Sequence, residues 1–316
     1  MKTKIIDTFL GMAVGDALGV PVEFLSRAEI AKNPVVSMRE YGTHYQPAGT
    51  WSDDSSMAFC LTESLCKGYD IENIAGNFVQ WYAESFWTPH GEVFDMGIAT
   101  RQAIKKIQQG ITPMECGGTD EQSNGNGSLM RILPLIFYIK DFLLENRFQM
   151  VKEVSSITHA HIRSVLSCFI YTEFAIELLN GTEKTQAYKN MQQTVNSFLK
   201  TTMEANTVIQ AEIPQFDRIL TNDISQYPEN EIKSTGYVLA TLEASLWCFL
   251  TTNNYMTATL KAVNLGDDTD TTGCVTGGLA GLYYGSQKIP EIWLCVLAKK
   301  DAIVNLADRF ANSLEK

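Results

Sequence analysis

The chain has no Cys-x-x-Cys pair, no excess of basic residues and only four histidines. Each shortage removes a class of function. Its seven cysteines (60, 66, 116, 168, 248, 274 and 295) are odd in number and scattered, most of them inside apolar runs such as Met57-Ala58-Phe59-Cys60-Leu61. Reduced core thiols are expected, not a disulfide framework. A formal charge of −11 argues against a nucleic-acid binder, which needs clustered Lys and Arg to displace counterions from phosphates. It leaves room for a small phosphorylated ligand held by metals and backbone N–H groups. No H-x-x-x-H pattern accompanies the one histidine pair, His159 and His161, so zinc is not expected. There is no G-x-x-x-x-G-K-[ST] loop, no dinucleotide fingerprint after a strand and no G-x-S-x-G elbow. P-loop hydrolysis and covalent serine chemistry are thereby unsupported. No apolar run approaches the roughly 18–20 residues of a membrane span. Asp7 and Asp16 interrupt the N-terminal segment, so a signal peptide is not expected either. A soluble, cytoplasmic protein is.

What is present is helical periodicity. Convincing period-2 runs are scarce, whereas Ile5, Ile6, Phe9, Leu10 and Ala13 make one period-3.6 stripe and Ile98, Ala99, Ala103, Ile104 and Ile107 another. Val165 to Leu179 reads as a buried helix stopped by Asn180-Gly181. Tyr237 to Leu250, Met256 to Leu265, Thr272 to Tyr284, Ile292 to Lys299 and Ala302 to Leu314 continue the pattern. Pro214 to Glu231 is the ambiguous stretch. Gly11, Gly15 and Gly19 recur every four residues, which suggests close approach of another helix, since each glycine costs ~1 kcal/mol against alanine. No repeat or flexible linker is visible. The expectation is a single all-α domain over residues 1–316, with roughly a dozen helices whose boundaries are uncertain by ±2–4 residues.

Two acidic turns carry the chemistry. Ser52-Asp53-Asp54-Ser55 and Gly266-Asp267-Asp268-Thr269-Asp270-Thr271 lie about two hundred residues apart and hold five carboxylates. The first could be an ordinary capped helix start. The second has more acids than one cap needs. If the fold joins the turns, the like charges require cations, and hard oxygen donors suit Mg²⁺, Mn²⁺ or Ca²⁺. An EF-hand counted from Asp268 fails at position 12, which is Leu279. Glu23, a lone acid in Pro21-Val22-Glu23-Phe24, becomes an acid/base candidate if it is buried beside such a site. Asn124-Gly125-Asn126-Gly127-Ser128-Leu129-Met130-Arg131 reads as a Gly-rich turn running into a helix, able to hold phosphate with help from Arg131.

Taken in order, these segments resemble the ADP-ribosylglycohydrolase family, metal-dependent all-α hydrolases that include dinitrogen-reductase-activating glycohydrolase and ADP-ribosylarginine hydrolases. The resemblance runs through Gly11 to Gly19 with Glu23, Ser52-Asp53-Asp54, Phe94-Asp95-Met96-Gly97 and Gly125 to Arg131. It continues through Thr158-His159 and Gly236-Tyr237-Val238 to Asn264 to Thr271. It implies a compact orthogonal multi-helix bundle and two divalent cations, Mg²⁺ or Mn²⁺, held by Ser52, Asp53, Asp54, Asp268, Asp270 and Thr271. It also implies acid/base roles for Glu23 and Asp95, and an ADP-ribose cleft lined by Asn126, Gly127, Ser128, His159, Gly236 and Tyr237. Ser52 stands where the family usually has Thr. Asp267 stands where it usually has Gly, either strengthening the metal site or facing solvent.

The implied activity is removal of ADP-ribose from modified protein side chains by hydrolysis at the distal ribose. Arginine is the favoured linkage, on the Gly-Asp-Ala-Leu-Gly and Gly-Tyr-Val segments. The implied partners are an ADP-ribosylated protein substrate and ADP-ribose as product; composition leads us to expect neither nucleic acid nor membrane as partner, and a monomer is the default. A serine or O-acetyl-ADP-ribose linkage, another metal hydrolase and a non-catalytic ADP-ribose reader remain as alternatives.

Overall fold

A computed structural model describes residues 1–315. Among them there is no β-strand, only the isolated bridges Gly118–His159 and Gly125–Tyr237. The architecture rests on helices α1 (Lys2–Gly19), α2 (Asp53–Leu65), α3 (Ile71–Glu84), α4 (Ile98–Gln108), α5 (Leu144–Ser156) and α6 (Ile162–Leu179). It continues with α7 (Lys184–Thr201), α8 (Val238–Leu250), α9 (Tyr255–Val263), α10 (Thr269–Tyr284) and α11 (Lys300–Leu314). The expected all-α class holds, and every stripe read from periodicity falls in one of these helices or, for Ile292 to Lys299, in the short helix Glu291–Val296. Pro214 to Glu231 becomes a series of single helical turns.

Helix starts follow side-chain chemistry. Asp70 accepts from the Glu72 and Asn73 N–H groups ahead of α3, and Asn254 accepts from the Thr257 N–H ahead of α9. His161 caps α6 through the Arg163 N–H. Each cap satisfies donors that the first turn leaves without a partner.

Helices α1 and α10 form the axis. Nearly every residue of both is buried, so neither has a solvent face, as expected for helices at the centre of a core. One expectation fails here. The segment Lys2–Val22 is long and apolar enough to span a membrane, with a mean hydropathy of 1.5, despite its two aspartates; 89% of that stretch lies inside the protein. Core burial accounts for its composition.

The two helices run antiparallel in backbone contact. A Cβ on Gly11 would stand 2.4 Å from the Gly277 carbonyl oxygen, one on Gly15 2.1 Å from that of Gly273, and one on Gly19 2.3 Å from the Asp270 Cα. One end of the contact is pinned where Thr269 Oγ1 donates to the Gly19 carbonyl (2.8 Å), and Tyr255 OH of α9 donates to the Gly11 carbonyl at the middle of α1 (2.7 Å). Helices α8, α9 and α11 pack around this pair.

Two glycine substitutions should therefore move stability in opposite directions. Gly15→Ala gains intrinsic helix propensity, yet should destabilise by about 1–3 kcal/mol or more, because overpacking outweighs propensity. Gly76→Ala in α3, where a Cβ meets nothing within 4 Å, should stabilise by about 0.5–1 kcal/mol. Urea melts of the two variants check both signs.

Candidate active site: an acidic cluster beside the central helices

The antiparallel axis brings the C-terminal end of α1 against the N-terminal end of α10, and α2 begins beside both. Asp16 in the last turn of α1 is fully buried. Its carboxylate accepts from the Ser52 N–H (2.8 Å), the Ser55 N–H (3.1 Å) and Ser55 Oγ (2.6 Å). It thereby fixes the start of α2. Ser52 Oγ in turn donates to Asp54 Oδ2 (2.8 Å), and Thr271 Oγ1 reaches the same oxygen at 3.4 Å. The two acidic turns read from sequence thus meet through Asp54 and Thr271.

Two groups of acids converge closely. Asp16, Asp54 and Asp270 each offer an oxygen within 4.8 Å of the others, and so do Glu23, Asp268 and Asp270. Three buried carboxylate oxygens, Asp54 Oδ1, Asp268 Oδ1 and Asp270 Oδ2, have no hydrogen-bond partner. A buried oxygen left without a donor is costly, more so when it carries charge. The strain is visible in proton affinities. Burial, then neighbouring carboxylates, push Asp53, Asp54 and Asp270 well above the usual carboxylate range. Asp16 rises to about 7 on burial, against the pull of its hydrogen bonds from Ser55 and Ser52. Glu23 rises to about 10, through burial first and then the charges of Asp95, Asp268 and Asp54. Asp268 is raised by burial and partly relieved by the Asn126 amide, which donates at 2.9 Å. An all-oxygen donor set with unpartnered carboxylates fits hard divalent cations and not zinc or copper.

A cleft of about 420 Å³ opens over this cluster, within the range of small-molecule sites. Glu23, Asp53, Asp95, Asp268 and Thr271 form its acidic floor. Asn126, Gly127, His159 and Gly236 line the side wall. His159 is held neutral, its pKa pushed down to about 3 by burial and then by the Arg131 charge, while Nδ1 pairs with Thr158 Oγ1 at 2.8 Å. Gly127 lies so close to this ring that a Cβ would sit 2.7 Å from Cε1.

Three expectations need correction. Ser128 is fully buried behind the wall, where its Oγ accepts from Ser155 Oγ at 3.0 Å. Tyr237 stands outside the lining, its hydroxyl accepting from the Arg163 guanidinium at 2.9 Å. The Gly-rich turn does not run straight into a long helix; it continues as turns to a 3₁₀ turn at Leu133–Leu135 and one α-helical turn at Ile136–Ile139. Arg131 points inward, donating to the Gly127 and Val154 carbonyls and stacking on Phe78 at 4.9 Å. It is fully buried and takes no part in the cleft lining.

Asp16 and His44 escaped the sequence reading. Asp16 had a signal, a charge inside an otherwise apolar Gly-rich helix, but it reads equally as an interruption of that helix. His44, in a loop rich in Gly and Pro, had none. Asp267 is exposed and left-handed, with φ of +59°, a conformation that Asp tolerates better than most residues. Its backbone clamps the turn after Glu23: the carbonyl accepts from the Phe24 N–H (2.7 Å) and the N–H donates to the Leu25 carbonyl (2.8 Å). The side chain faces solvent and belongs to neither converging group of acids. Asp267→Gly should leave divalent-cation affinity unchanged and shift stability by less than ~1 kcal/mol, because relief of the left-handed backbone offsets the entropy of glycine. Calorimetric titration with Mn²⁺ and a thermal melt check the two halves.

The ADP-ribosylglycohydrolase family profile matches residues 1–316. ADP-ribosylarginine hydrolase Tri1 of Serratia proteamaculans (strain 568) is 32% identical over 312 residues, covering 97% of this chain and 78% of that protein. The ADP-ribosyl-[dinitrogen reductase] glycohydrolase of Rhodospirillum rubrum is 28% identical over 309 residues, 94% of this chain and 91% of the relative. A solved structure described as an ADP-ribosylglycohydrolase-related protein complex superposes with a TM-score of 0.80 at 30% identity, covering 99% and 98% of the two chains. Profile, sequence and fold agree from end to end: the chain belongs to the ADP-ribosylglycohydrolase family and is a hydrolase of glycosidic bonds.

Proposed function

We propose that this enzyme releases ADP-ribose from ADP-ribosylated arginine side chains of proteins, and that it needs two divalent cations, Mg²⁺ or Mn²⁺, to do so. The observation that carries the metal requirement is the set of three unpartnered buried oxygens on Asp54, Asp268 and Asp270, of which Asp268 lines the cleft and the other two lie in the acid groups next to it. Ser52, Asp53, Asp54, Asp268, Asp270 and Thr271 would hold the cations, with Asp16 completing the group around Asp54 and Asp270. Bound cations supply Lewis-acid charge that orients ribose hydroxyls and acidifies water nearby. The arginine linkage is supported by the similarity to Tri1, an ADP-ribosylarginine hydrolase, and by the two carboxylates, Glu23 and Asp95, on the cleft floor, which suit a cationic leaving group.

The residues divide the work. Asn126, anchored by Thr241 Oγ1 and Asp268 (2.9 Å each), and the open backbone at Gly127 and Gly236 shape the wall against which ADP-ribose lies. Positioning of this kind lowers the barrier by removing motional freedom in advance. Cleavage breaks the bond from C1″ to the guanidino nitrogen, and its electron pair leaves with nitrogen, which takes up a proton. Water oxygen bonds to C1″ and gives its proton to Asp95, or to Glu23 once the charge of bound cations has ionised it. The products are ADP-ribose and the unmodified arginine side chain of the protein.

The direct test measures ADP-ribose release from mono-ADP-ribosylated arginine and serine peptides with Mg²⁺, with Mn²⁺ and with chelator. Release from the arginine peptide alone, abolished by chelator, is the expected result. Release from serine alone would transfer the reading to another linkage, and tight ADP-ribose binding without release from either would make the protein a reader. Asp54→Asn should lower kcat by more than ~100-fold, beyond the 10–100-fold typical of groups one shell removed from a metal. The same substitution should raise the melting temperature of metal-free protein, because it removes one of several repelling carboxylates.

The raised proton affinities also set a pH dependence. A carboxyl whose folded pKa exceeds its unfolded value contributes stability that is complete below the unfolded pKa and lost as pH rises through the folded one. Metal-free protein should therefore lose stability between about pH 4 and pH 7, the window of Asp16, and continue to lose it through the range of Glu23 up to about pH 10. Saturating Mg²⁺ or Mn²⁺ should flatten the profile. Thermal melts across this range, with and without chelator, provide the comparison.

A further inference from the structure

His44 enters the cleft region from the loop between Tyr41 and Gln46, and nothing in the mechanism above uses it. The loop is tied down on two sides. Thr43 Oγ1 donates to the Glu23 carbonyl (2.7 Å) and the Thr43 N–H to the Pro21 carbonyl (3.1 Å). Gly42 presses so tightly on Pro21 that a Cβ there would overlap its carbonyl oxygen at 1.8 Å. On the other side the Gln46 amide donates to Glu92 Oε1 at 2.7 Å, joining the loop to the segment that carries Asp95. The imidazole is gripped by two rings, Phe24 at 6.0 Å and Phe94 at 5.2 Å between centroids. Its side chain is 14% exposed.

So held, Nε2 of His44 makes a short hydrogen bond to Oε2 of Glu23, and Asp95 Oδ1 lies 4.0 Å from the same nitrogen. Among the described residues this is the hydrogen bond the His44 side chain makes. A histidine serving only the loop would need no partner inside the cleft. Here the partner is the buried carboxyl on its floor, 4% exposed, and the second candidate acid faces the same nitrogen. The contact takes up one oxygen of Glu23 and leaves the other for the reaction.

We propose that His44 is the positioning residue for Glu23: clamped by Phe24, Phe94 and the pinned loop, its imidazole fixes the Glu23 carboxyl in the orientation that proton transfer requires. Asp95, 4.0 Å from the same nitrogen, stands beside the pair and supports it. This assignment rests on the proposed glycohydrolase reaction, and it divides the two acids into Glu23 as the catalytic residue and Asp95 as its supporting partner.

The test is a double-mutant cycle in Mg²⁺-loaded full-length protein, using release of ADP-ribose from an ADP-ribosylarginine peptide. His44→Ala should lower kcat by ~100-fold, the scale of one lost acid/base contribution. KM and Mn²⁺ affinity should stay within ~3-fold, as expected for an interaction made in the transition state and not in substrate binding. His44→Gln, which can still hydrogen-bond to Glu23, should recover part of the loss, and added imidazole should recover part of it in His44→Ala. In a Glu23→Gln background, His44→Ala should cost nothing further, because residues acting through one another are non-additive. Unchanged kcat in His44→Ala beside an active wild type overturns the assignment alone. So does a parallel loss of kcat, KM and Mn²⁺ affinity, or an additive loss on Glu23→Gln. A wild type that releases nothing overturns the proposed reaction and this role with it.

Discussion

Helices α1 and α10 approach until their backbones touch, and the cleft depends on that distance. Carboxylates on neighbouring helices with ordinary side-chain packing between them, 8–10 Å axis to axis, would be too far apart to share a cation. Gly11 and Gly15 facing glycines 273, 277 and 281, and Gly19 facing the Asp270 backbone, remove the spacer. The price is helix propensity, roughly 1 kcal/mol per glycine. What is gained is placement: Asp16 and Glu23 from one helix end meet Asp268 and Asp270 from the other, and Asp16 carries the placement on to α2 through Ser52 and Ser55.

That placement is electrostatically unfavourable by itself. The cluster concentrates buried carboxylates whose proton affinities are raised by desolvation and mutual repulsion, and it leaves three of their oxygens unpaired. The surrounding core must hold it together. Trp51, Phe59 and the apolar faces of α1 and α2 are fully buried against one another, so the repulsion is confined within a framework that does not yield. Sites that store strain in this way are commonly the functional ones.

Much of this was legible in the sequence, for identifiable reasons. The acidic turns stood out because Asp267, Asp268 and Asp270 exceed what any helix cap uses. The glycine face of α1 announced a close neighbour because its four-residue spacing has no local benefit. Misreadings arose where tertiary packing decides. Arg131 sits in a turn that locally resembles an anion cradle, but the Phe78 ring and two carbonyls draw it into the core. Ser128 and Tyr237 share motifs with cleft residues, yet adjacent positions on a turn point to different sides. The aspartates of α1 break its apolar run without lowering its hydropathy below that of a membrane span. His44 acquires its meaning from a carboxyl 21 residues away, a relation no local pattern encodes.

The order of the chain adds a consequence in time. The central pair joins the first helix to one that begins at residue 269, and the hydrogen bond from Thr269 to Gly19 closes a loop of 250 residues. Domains fold as units during synthesis, N-terminal parts emerging first, and contacts of such separation form late because loop closure precedes their reward. Through most of translation α1 is an apolar, glycine-notched helix waiting for its partner, and half of the acidic cluster does not yet exist. A chain that stops before α10 has neither Asp268 nor Asp270 beside Asp16 and Asp54. The acidic cluster is thus assembled only when α10 reaches α1, and the same contact shapes the cleft.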